Sequence, residues 1–151
     1  MPVATLQVAS TATDGAFHVY LEDVSPEGRV TYVTEGIFRA INRQESTDPP
    51  PYRLFGPHHT YRREDAMPLE PGVVAELRFE LLATSVRLSA GHRLRVAIAG
   101  ADRGMFALVP EGEPPTVTLY RNETAASFVE LPMKELRGGF DQALTSTGPV
   151  P

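Results

Sequence analysis

With 151 residues the chain is long enough for one domain around a single hydrophobic core. Its formal net charge of −5 argues against a surface that gathers nucleic acid, and the absence of cysteine excludes disulfides, thiolate nucleophiles and Cys-bound zinc. Neither a basic leader nor a membrane-length apolar run is found, so we expect a soluble, cytoplasmic protein that binds neither nucleic acid nor membrane.

The first part of the chain alternates apolar and polar residues between turn signals. Because successive side chains of a strand point to opposite faces, this period of two predicts strands. In chain order they are Val3–Ser10, a segment with Phe17, Val19 and Leu21 on one face, Val30–Thr34 and Ile37–Asn42. Asp14-Gly15 is typical of a tight hairpin and Ser25-Pro26-Glu27-Gly28 of a type I turn, and we expect Gly28 and Gly36 to end turns.

A long segment without periodicity follows, from Arg43 to Leu69. It contains the run Pro49-Pro50-Pro51, which is unfavourable for a central strand. We interpret it as the long crossover connection that Greek-key and jelly-roll sandwiches require. The next four residues, Glu70-Pro71-Gly72-Val73, predict a type II turn, because glycine accepts the positive φ needed at the third position.

Two amphipathic strands come after this turn. The first is predicted over Val73–Leu81, where the odd positions are apolar and the charged residues occupy even positions. The second is predicted over His92–Ala99, and its apolar row is Leu94, Val96 and Ile98. We expect this row to fill the core, with Arg93 and Arg95 on the outer face.

Two shorter strands complete the set, at Thr116–Tyr120 and Ser127–Leu131. Many short strands separated by frequent turns are typical of a sandwich or barrel. The sequence therefore predicts an all-β domain over residues 1–136. The small and polar residues that follow predict a loose C-terminal tail over residues 137–151.

No segment carries a complete catalytic or cofactor site. The nucleophile elbow Gly-x-Ser-x-Gly is absent, and so are the phosphate-binding glycine motifs. Neighbouring carboxylates such as Glu22 and Asp23 alternate across a strand and cannot act together as an acid and a base. We therefore nominate no catalytic, cofactor-binding or metal-binding residue and expect no cofactor.

Three histidines are the residues closest to site chemistry. His58 and His59 are adjacent, so they point to opposite faces in an extended segment, and no carboxylate set completes a tetrahedral metal site around them. We interpret them as a solvated or hydrogen-bonded loop pair. His92 is in register with Leu94, so we expect a partly buried, structural imidazole bonded to backbone or to a carboxylate.

A charged cluster lies within the long connection. Arg62 and Arg63, with Tyr61 beside them, have the chemistry to recognise an acidic or aromatic group. Glu64 and Asp65 follow at once. We therefore interpret the cluster as solvated ion pairs.

Three stretches in order resemble one family. They are Val19-Tyr20-Leu21-Glu22-Asp23-Val24 with Pro26-Glu27-Gly28-Arg29 and Thr34-Glu35-Gly36-Ile37-Phe38-Arg39-Ala40; Leu69-Glu70-Pro71-Gly72; and Leu88-Ser89-Ala90-Gly91-His92-Arg93-Leu94-Arg95-Val96. Ser127 and Leu131-Pro132 are similar to the family's last strand. Over residues 3–135 the chain resembles the C-terminal jelly-roll domain of the cocaine esterase and Xaa-Pro dipeptidyl-peptidase family of serine hydrolases.

The resemblance implies a galactose-binding-like jelly-roll sandwich without catalytic residues. In this family the Ser-His-Asp machinery belongs to a preceding α/β-hydrolase domain with a helical cap, and the jelly-roll domain packs on it and helps shape the substrate cleft. Family members cleave acyl esters or peptides with a penultimate proline. The expected partner of this chain is thus a catalytic domain that the chain does not contain.

The sequence departs from the family pattern at its start. The family domain begins some strands earlier, whereas the first recognisable strand here starts at Val3. We therefore expect a sandwich that lacks its first strands and has an open sheet edge. Since unpaired edges pair readily with other chains, a homodimer through this edge is expected.

Two other functions stay open. The alternative to an accessory domain is a free-standing β-sandwich module that binds a ligand or carbohydrate, with Tyr52, Phe55 and Tyr61 as stacking surfaces because Trp is absent. The third is hydrolysis of esters by this chain unaided. A reactive serine within the chain would be required for it.

Overall fold

A computed structural model describes residues 1–102 and 104–134. The strands of these residues form two antiparallel sheets. The strands are β1 (Val3–Ser10), β2 (Ala16–Val24), β3 (Val30–Arg39), β4 (Ala75–Glu80), β5 (Arg93–Ala99), β6 (Val117–Tyr120) and β7 (Phe128–Glu130), with short 3₁₀-helices at Ala40–Asn42 and Arg63–Asp65. The all-β prediction is confirmed. The predicted domain boundary at residue 136 and the tail over 137–151 lie outside the described residues.

The first sheet is built around β1. On one side β1 pairs with β4, from Val3 opposite Glu80 to Val8 opposite Ala75. On the other side it pairs with β7 along residues 3–5 and with β6 along residues 7–10. β6 and β7 therefore share one side of β1, and β1 is the central strand of its sheet.

The second sheet has the strand order β3-β2-β5. β2 and β3 form a hairpin closed by the predicted turn, in which the Gly28 N–H donates to the Ser25 carbonyl at 2.9 Å and Gly28 has φ +87°. β5 pairs with the other side of β2, where Ile98 lies opposite Val19 and Val96 opposite Leu21. Directly paired residues share a face, so this register fixes which side of β5 is turned toward the core.

The core lies between the even-numbered face of β1 and the odd-numbered face of β2. Its buried members are Ala4, Leu6, Val8, Phe17, Val19, Leu21, Phe38, Ala40, Leu69, Leu77, Phe79 and Leu81. Most of them belong to alternating rows, as the period of two predicts. Burial of each large apolar side chain contributes roughly 1.5–3 kcal/mol.

The prediction of a tight hairpin at Asp14-Gly15 was wrong. β1 and β2 belong to different sheets, so residues 11–15 cross between the two layers. Asp14 Oδ1 accepts hydrogen bonds from the N–H groups of Gly15 at 2.8 Å and Ile41 at 3.2 Å. The Asp14 carboxylate therefore serves as a hydrogen-bond acceptor for backbone N–H groups of the loop. The preference of Asp for turns does not predict this role.

Gly36 does not end a turn, because Val30–Arg39 is one continuous strand instead of the two predicted. A Cβ at Gly36 would lie 2.6 Å from the Glu80 carbonyl oxygen. Glycine thus allows β3 to approach the end of β4. Just beyond β4, the Leu82 N–H donates to the Glu35 carbonyl at 2.7 Å, which ties the two sheets together.

The long connection between β3 and β4 crosses from one sheet to the other, as predicted. Its backbone is pinned to the sandwich by the Met67 N–H, which donates to Ile41 at 2.8 Å, and by the Leu69 N–H, which donates to Thr13 at 2.7 Å. The type II turn that follows is also confirmed, since Gly72 has φ +80° and the Val73 N–H donates to the Glu70 carbonyl at 3.0 Å. No helix within the described ranges is long and apolar enough to cross a membrane.

Candidate functional site

One side of the sandwich leaves core-facing residues in solvent. β3 packs near β4, so β5 and β6 lie at the opposite side. There Val96 is 43% exposed, Ile98 38%, Val117 41% and Leu119 36%. We call these four residues the open margin. Their exposure corrects the prediction that the β5 row fills the core, which holds only for Leu94, half-buried against the core cluster.

The register shows that the open margin faces inward. Ile98 pairs with the buried Val19, and Leu119 pairs with the buried Val8. These side chains continue the apolar layer of the core, yet no described segment of the chain covers them. Exposed apolar side chains that face a core are candidates for a surface that another protein covers. Arg95 lies on the outer face, as predicted, and its Nε is 2.6 Å from Glu22 Oε2.

The opposite side, between β3 and β4, is covered by the long connection. Phe38 stacks on Phe79 with ring centroids 5.0 Å apart, and the His59 ring lies 4.7 Å from Phe38. We call these three residues the closed margin. Burial there is nearly complete, since Phe38 is 2% exposed, Phe79 3% and His59 6%.

His59 joins the connection to the sheet. Its Nδ1 lies 3.0 Å from the Gln44 carbonyl oxygen and its Nε2 lies 2.8 Å from the Arg78 carbonyl oxygen. His58 Nδ1 lies 3.0 Å from the Asp48 carbonyl oxygen and stays partly exposed. Both histidines are thus hydrogen-bonded, but His59 is a buried packing residue and not a solvated one.

His92 pairs with a carboxylate at the start of β5. Its Nδ1 lies 2.8 and 3.0 Å from the two carboxylate oxygens of Asp23, and both side chains are mostly buried. The prediction of a partly buried His92 bonded to a carboxylate is confirmed. The nearby Ser25 hydroxyl donates to Glu27 Oε2 at 2.8 Å, and this bond lowers the pKa of the Glu27 carboxyl.

The Asp23–His92 pair does not form a nucleophilic triad. Among the described residues no serine hydroxyl is hydrogen-bonded to an imidazole nitrogen, and the hydroxyl of Ser25 is donated to a carboxylate. A nucleophilic serine needs such a base within hydrogen-bond reach. The pair therefore anchors the start of β5 beside β2.

The charged cluster after Tyr61 is solvated but is not a set of ion pairs. Arg62, Arg63 and Glu64 are exposed, and within residues 1–102 and 104–134 no salt bridge involves them. Asp65 accepts a hydrogen bond from the Thr60 hydroxyl. This part of the prediction was wrong because the Asp65 carboxylate is bonded to the nearby Thr60 hydroxyl and not to an arginine.

The three aromatic residues proposed as stacking surfaces are exposed. Tyr52 is 61% exposed, Phe55 66% and Tyr61 65%. The Arg53 guanidinium lies 4.8 Å above the Phe55 ring, so this face already holds a cation. Tyr52 and Tyr61 meet at one pocket, whereas Phe55 does not line it.

His18 lies on the face of β2 opposite the apolar row of Phe17, Val19 and Leu21, yet it is only 1% exposed. The Phe106 ring lies 5.2 Å away, and the Tyr20 hydroxyl donates to Asp102 Oδ2 at 3.1 Å, so the segment after β5 covers this face. The pKa of Tyr20 is raised, mainly by desolvation and to a smaller extent by the hydrogen bond to Asp102. The alternation of apolar and polar residues in a strand does not predict that a distant loop will fold over its polar face.

Comparison with known proteins identifies relatives for most of the chain. The family described as the X-Pro dipeptidyl-peptidase C-terminal non-catalytic domain matches residues 1–131. Two proteins that carry the name "putative serine esterase", from Mycobacterium bovis and Mycobacterium tuberculosis, are each 53% identical over 131 residues. This is 87% of the present chain but 21% of either relative, so the chain spans about a fifth of their length.

A more distant similarity is to the cocaine esterase of a Rhodococcus species. The two sequences are 29% identical over 99 residues, which is 66% of the present chain and 14% of the esterase. The three relatives thus match this chain over one limited part of a much longer protein. The matched residues include the Asp23–His92 pair and the alternating rows of the core.

Proposed function

The chain belongs to the family of X-Pro dipeptidyl-peptidase C-terminal non-catalytic domains, and we propose on this basis that it is the accessory domain of an α/β-hydrolase. In this proposal the serine nucleophile lies in a separate catalytic domain of acyl esterase or Xaa-Pro dipeptidyl-peptidase type. The chain alone hydrolyses nothing. The serine esterase and cocaine esterase names of its relatives favour an ester as the substrate of the parent enzyme.

The open margin carries this proposal. Val96, Ile98, Val117 and Leu119 expose apolar side chains that the strand register turns toward the core. A catalytic domain seated against these residues would continue the core and remove them from water, which is favourable by about 25 cal/mol per Å² of apolar area. The same contact would place this domain beside the substrate cleft and let it shape one wall.

The proposal includes a jelly-roll, galactose-binding-like arrangement of the two sheets. The long crossover between β3 and β4 and the pairing of β1 with three strands are compatible with it. A cytoplasmic location stays a prediction. So does the homodimer through an open edge, for which β5 is the natural candidate because it pairs with β2 on one side only among the described strands.

Complementation of a truncated relative tests the proposal. The mycobacterial relative is prepared without its own matching 131 residues, and the present chain is supplied separately. We expect the chain to bind the truncated protein and to raise its melting temperature and its hydrolysis of p-nitrophenyl acetate. A serine-reactive phosphonate should label the relative and leave this chain unlabelled.

Matched variants locate the contact. The double variant V96D/I98D should lose the binding, since two carboxylates cannot be buried there unpaired. Tyr32→Asp is the control, because Tyr32 is 57% exposed on β3, at the other edge of the same sheet. Phosphonate labelling of the chain alone, or equal loss of binding in both variants, would overturn the proposal.

The same samples test the homodimer. If β5 pairs with a second copy, light scattering of the isolated chain should show a dimer that V96D/I98D converts to a monomer. A monomer at all concentrations would contradict the homodimer and leave the accessory role standing.

A further inference from the structure

A pocket of about 180 Å³ opens at the closed margin, between the long connection and the end of β4. Aromatic rings and one carboxylate dominate its lining, from Phe38, Tyr52, His59, Tyr61, Phe79 and Glu80. It lies on the opposite side of the sandwich from the open margin, because β3 and β4 are the strands that border it. A catalytic domain docked on the open margin would leave it accessible.

The carboxylate of Glu80 is held in an unusual place. Its Oε1 is buried and has no hydrogen-bond partner among the described residues. A Cβ on Gly56 would lie 2.3 Å from Glu80 Cγ and 2.4 Å from Oε1, so the glycine is what lets the side chain lie against the connection. A buried carboxylate oxygen without a donor is costly, so the fold keeps an acceptor here that its own groups leave unsatisfied.

Two of the polar side chains nearby, His59 and Arg78, are directed to other acceptors. Both ring nitrogens of His59 face backbone carbonyl oxygens, of Gln44 and Arg78. Arg78 itself reaches toward Glu45 and Glu130, at 3.5 and 3.7 Å. Tyr52 and Tyr61 also line the pocket, but no hydrogen bond joins either hydroxyl to Glu80, so no described side chain satisfies this acceptor.

Tyr52 and Tyr61 line the pocket near Glu80. Tyr61 has φ +55°, a backbone conformation that a bulky residue rarely adopts, and such strain is often found at ligand sites. Although most of the Tyr61 side chain is exposed, partial desolvation of its phenol raises the pKa, and the nearby Tyr52 and Glu80 raise it further. Tyr61 and Glu80 thus line the same pocket.

We propose that this pocket binds an organic cation, an alkylammonium group whose N–H donates to Glu80 and whose carbon atoms pack on Tyr52 and Tyr61. Electron-rich ring faces and a carboxylate both attract such an ion. A sugar is less well served, because it needs several donors and acceptors around its hydroxyl groups. In this pocket those are limited mainly to one carboxylate and two phenols.

Titration of the isolated chain with n-butylammonium chloride, followed by amide NMR shifts, tests the proposal. We expect saturable shifts confined to the residues around Glu80, Tyr52 and Tyr61, and none with sodium chloride at the same ionic strength. A second arm uses Nα-acetyl-lysine amide. Binding of both probes indicates a site for a lysine side chain, and binding of n-butylammonium alone indicates a site for a small amine.

Matched variants decide whether the carboxylate is responsible. Glu80→Gln keeps the shape of the side chain and should weaken binding about tenfold, because a charged acceptor and its ion pair are lost. Glu76→Gln is the control, since Glu76 lies exposed on the same face of β4 and carries the same charge. Gly56→Ala should also weaken binding, because its Cβ displaces the Glu80 carboxylate. Melting curves verify that each variant is folded.

Three results would overturn the proposal. They are the absence of shifts at the pocket with either cation, equal weakening by Glu80→Gln and Glu76→Gln, and saturable shifts with galactose in place of the cations. None of these results bears on the open margin. The failure of this proposal is therefore distinguishable from the failure of the accessory role.

Discussion

The two margins of the sandwich are both built from amphipathic strands, but the closed margin is buried and the open margin is exposed to solvent. At the closed margin the connection between β3 and β4 folds over the sheets, and Phe38, Phe79 and His59 are nearly inaccessible. At the open margin Val96 and Leu119 keep more than a third of their surface in water although they face the core. Alternation of apolar residues therefore predicts which face of the sheet a side chain points to. It does not predict whether another part of the protein buries that side chain.

The largest effect should separate a core residue from an open-margin residue. Leu77→Ala removes a side chain that is 0% exposed, so we expect a loss of about 2–5 kcal/mol in the free energy of unfolding. Val96→Ala removes one that is 43% exposed and should cost less than about 1 kcal/mol in the isolated chain. Urea denaturation measures both, and equal losses would mean that the open margin is packed.

At the closed margin His59 should be the most sensitive polar residue. His59→Ala removes the imidazole that lies between the Gln44 and Arg78 carbonyl oxygens and opens a cavity beside Phe38, at a cost of about 3 kcal/mol. The adjacent His58→Ala should stay within about 0.5 kcal/mol, because only one exposed contact is lost. Similar costs for both substitutions would contradict the assignment of His59 as the link between connection and sheet.

A smaller effect is expected where the two sheets approach each other beside the closed margin. Gly36→Ala places a Cβ 2.6 Å from the Glu80 carbonyl oxygen, which should cost about 2 kcal/mol. Gly100→Ala is the control, because a Cβ there meets nothing within 4 Å. A lower denaturation midpoint for Gly36→Ala than for Gly100→Ala would show that β3 and β4 lie too close together to accept a Cβ at residue 36. No difference would show that β3 moves away without penalty.

The smallest effect concerns the hairpin turn, which belongs to neither margin. The bond from Ser25 lowers the folded-state pKa of Glu27 below its ordinary 4.5. Its contribution to stability is therefore present above pH 4.5 and is lost as the pH falls through the lower folded value. Melting curves at pH 7 and pH 3 should differ slightly more for the natural chain than for Glu27→Gln. An identical pH response would exclude this contribution.

Local pattern was sufficient for most of the strands and for two of the turns, but it divided Val30–Arg39 into two strands. β1 was predicted with its observed bounds. The turn at Gly28 follows from Pro26 and Gly28 at positions that a type I turn favours, and the turn at Gly72 follows from the need for a positive φ. The family resemblance, which rests on several motifs in order, is confirmed by the match to residues 1–131. These features depend on residues that are close in sequence.

The remaining features depend on contacts between distant residues. The sequence predicts Gly36 as a turn residue because the Glu80 backbone beside it is distant in sequence. It predicts His59 as a solvated or hydrogen-bonded loop residue, and its burial becomes evident only when the Arg78 carbonyl and the Phe38 ring are placed beside it. The cation pocket combines Tyr52 and Tyr61 of the connection with Glu80 of β4. Val96 is exposed because no segment within residues 1–102 and 104–134 covers it, and the pattern of a strand gives no signal for such a cover.

The measurement closest to the central claim is carbene footprinting of the open margin by mass spectrometry. The chain is labelled alone and after binding to the truncated mycobacterial relative. We predict strong labelling of Val96, Ile98, Val117 and Leu119 in the isolated chain and protection of all four in the complex, with Tyr32 labelled equally in both. Unchanged labelling of the open margin in a complex that forms would contradict its role as the docking surface for the catalytic domain.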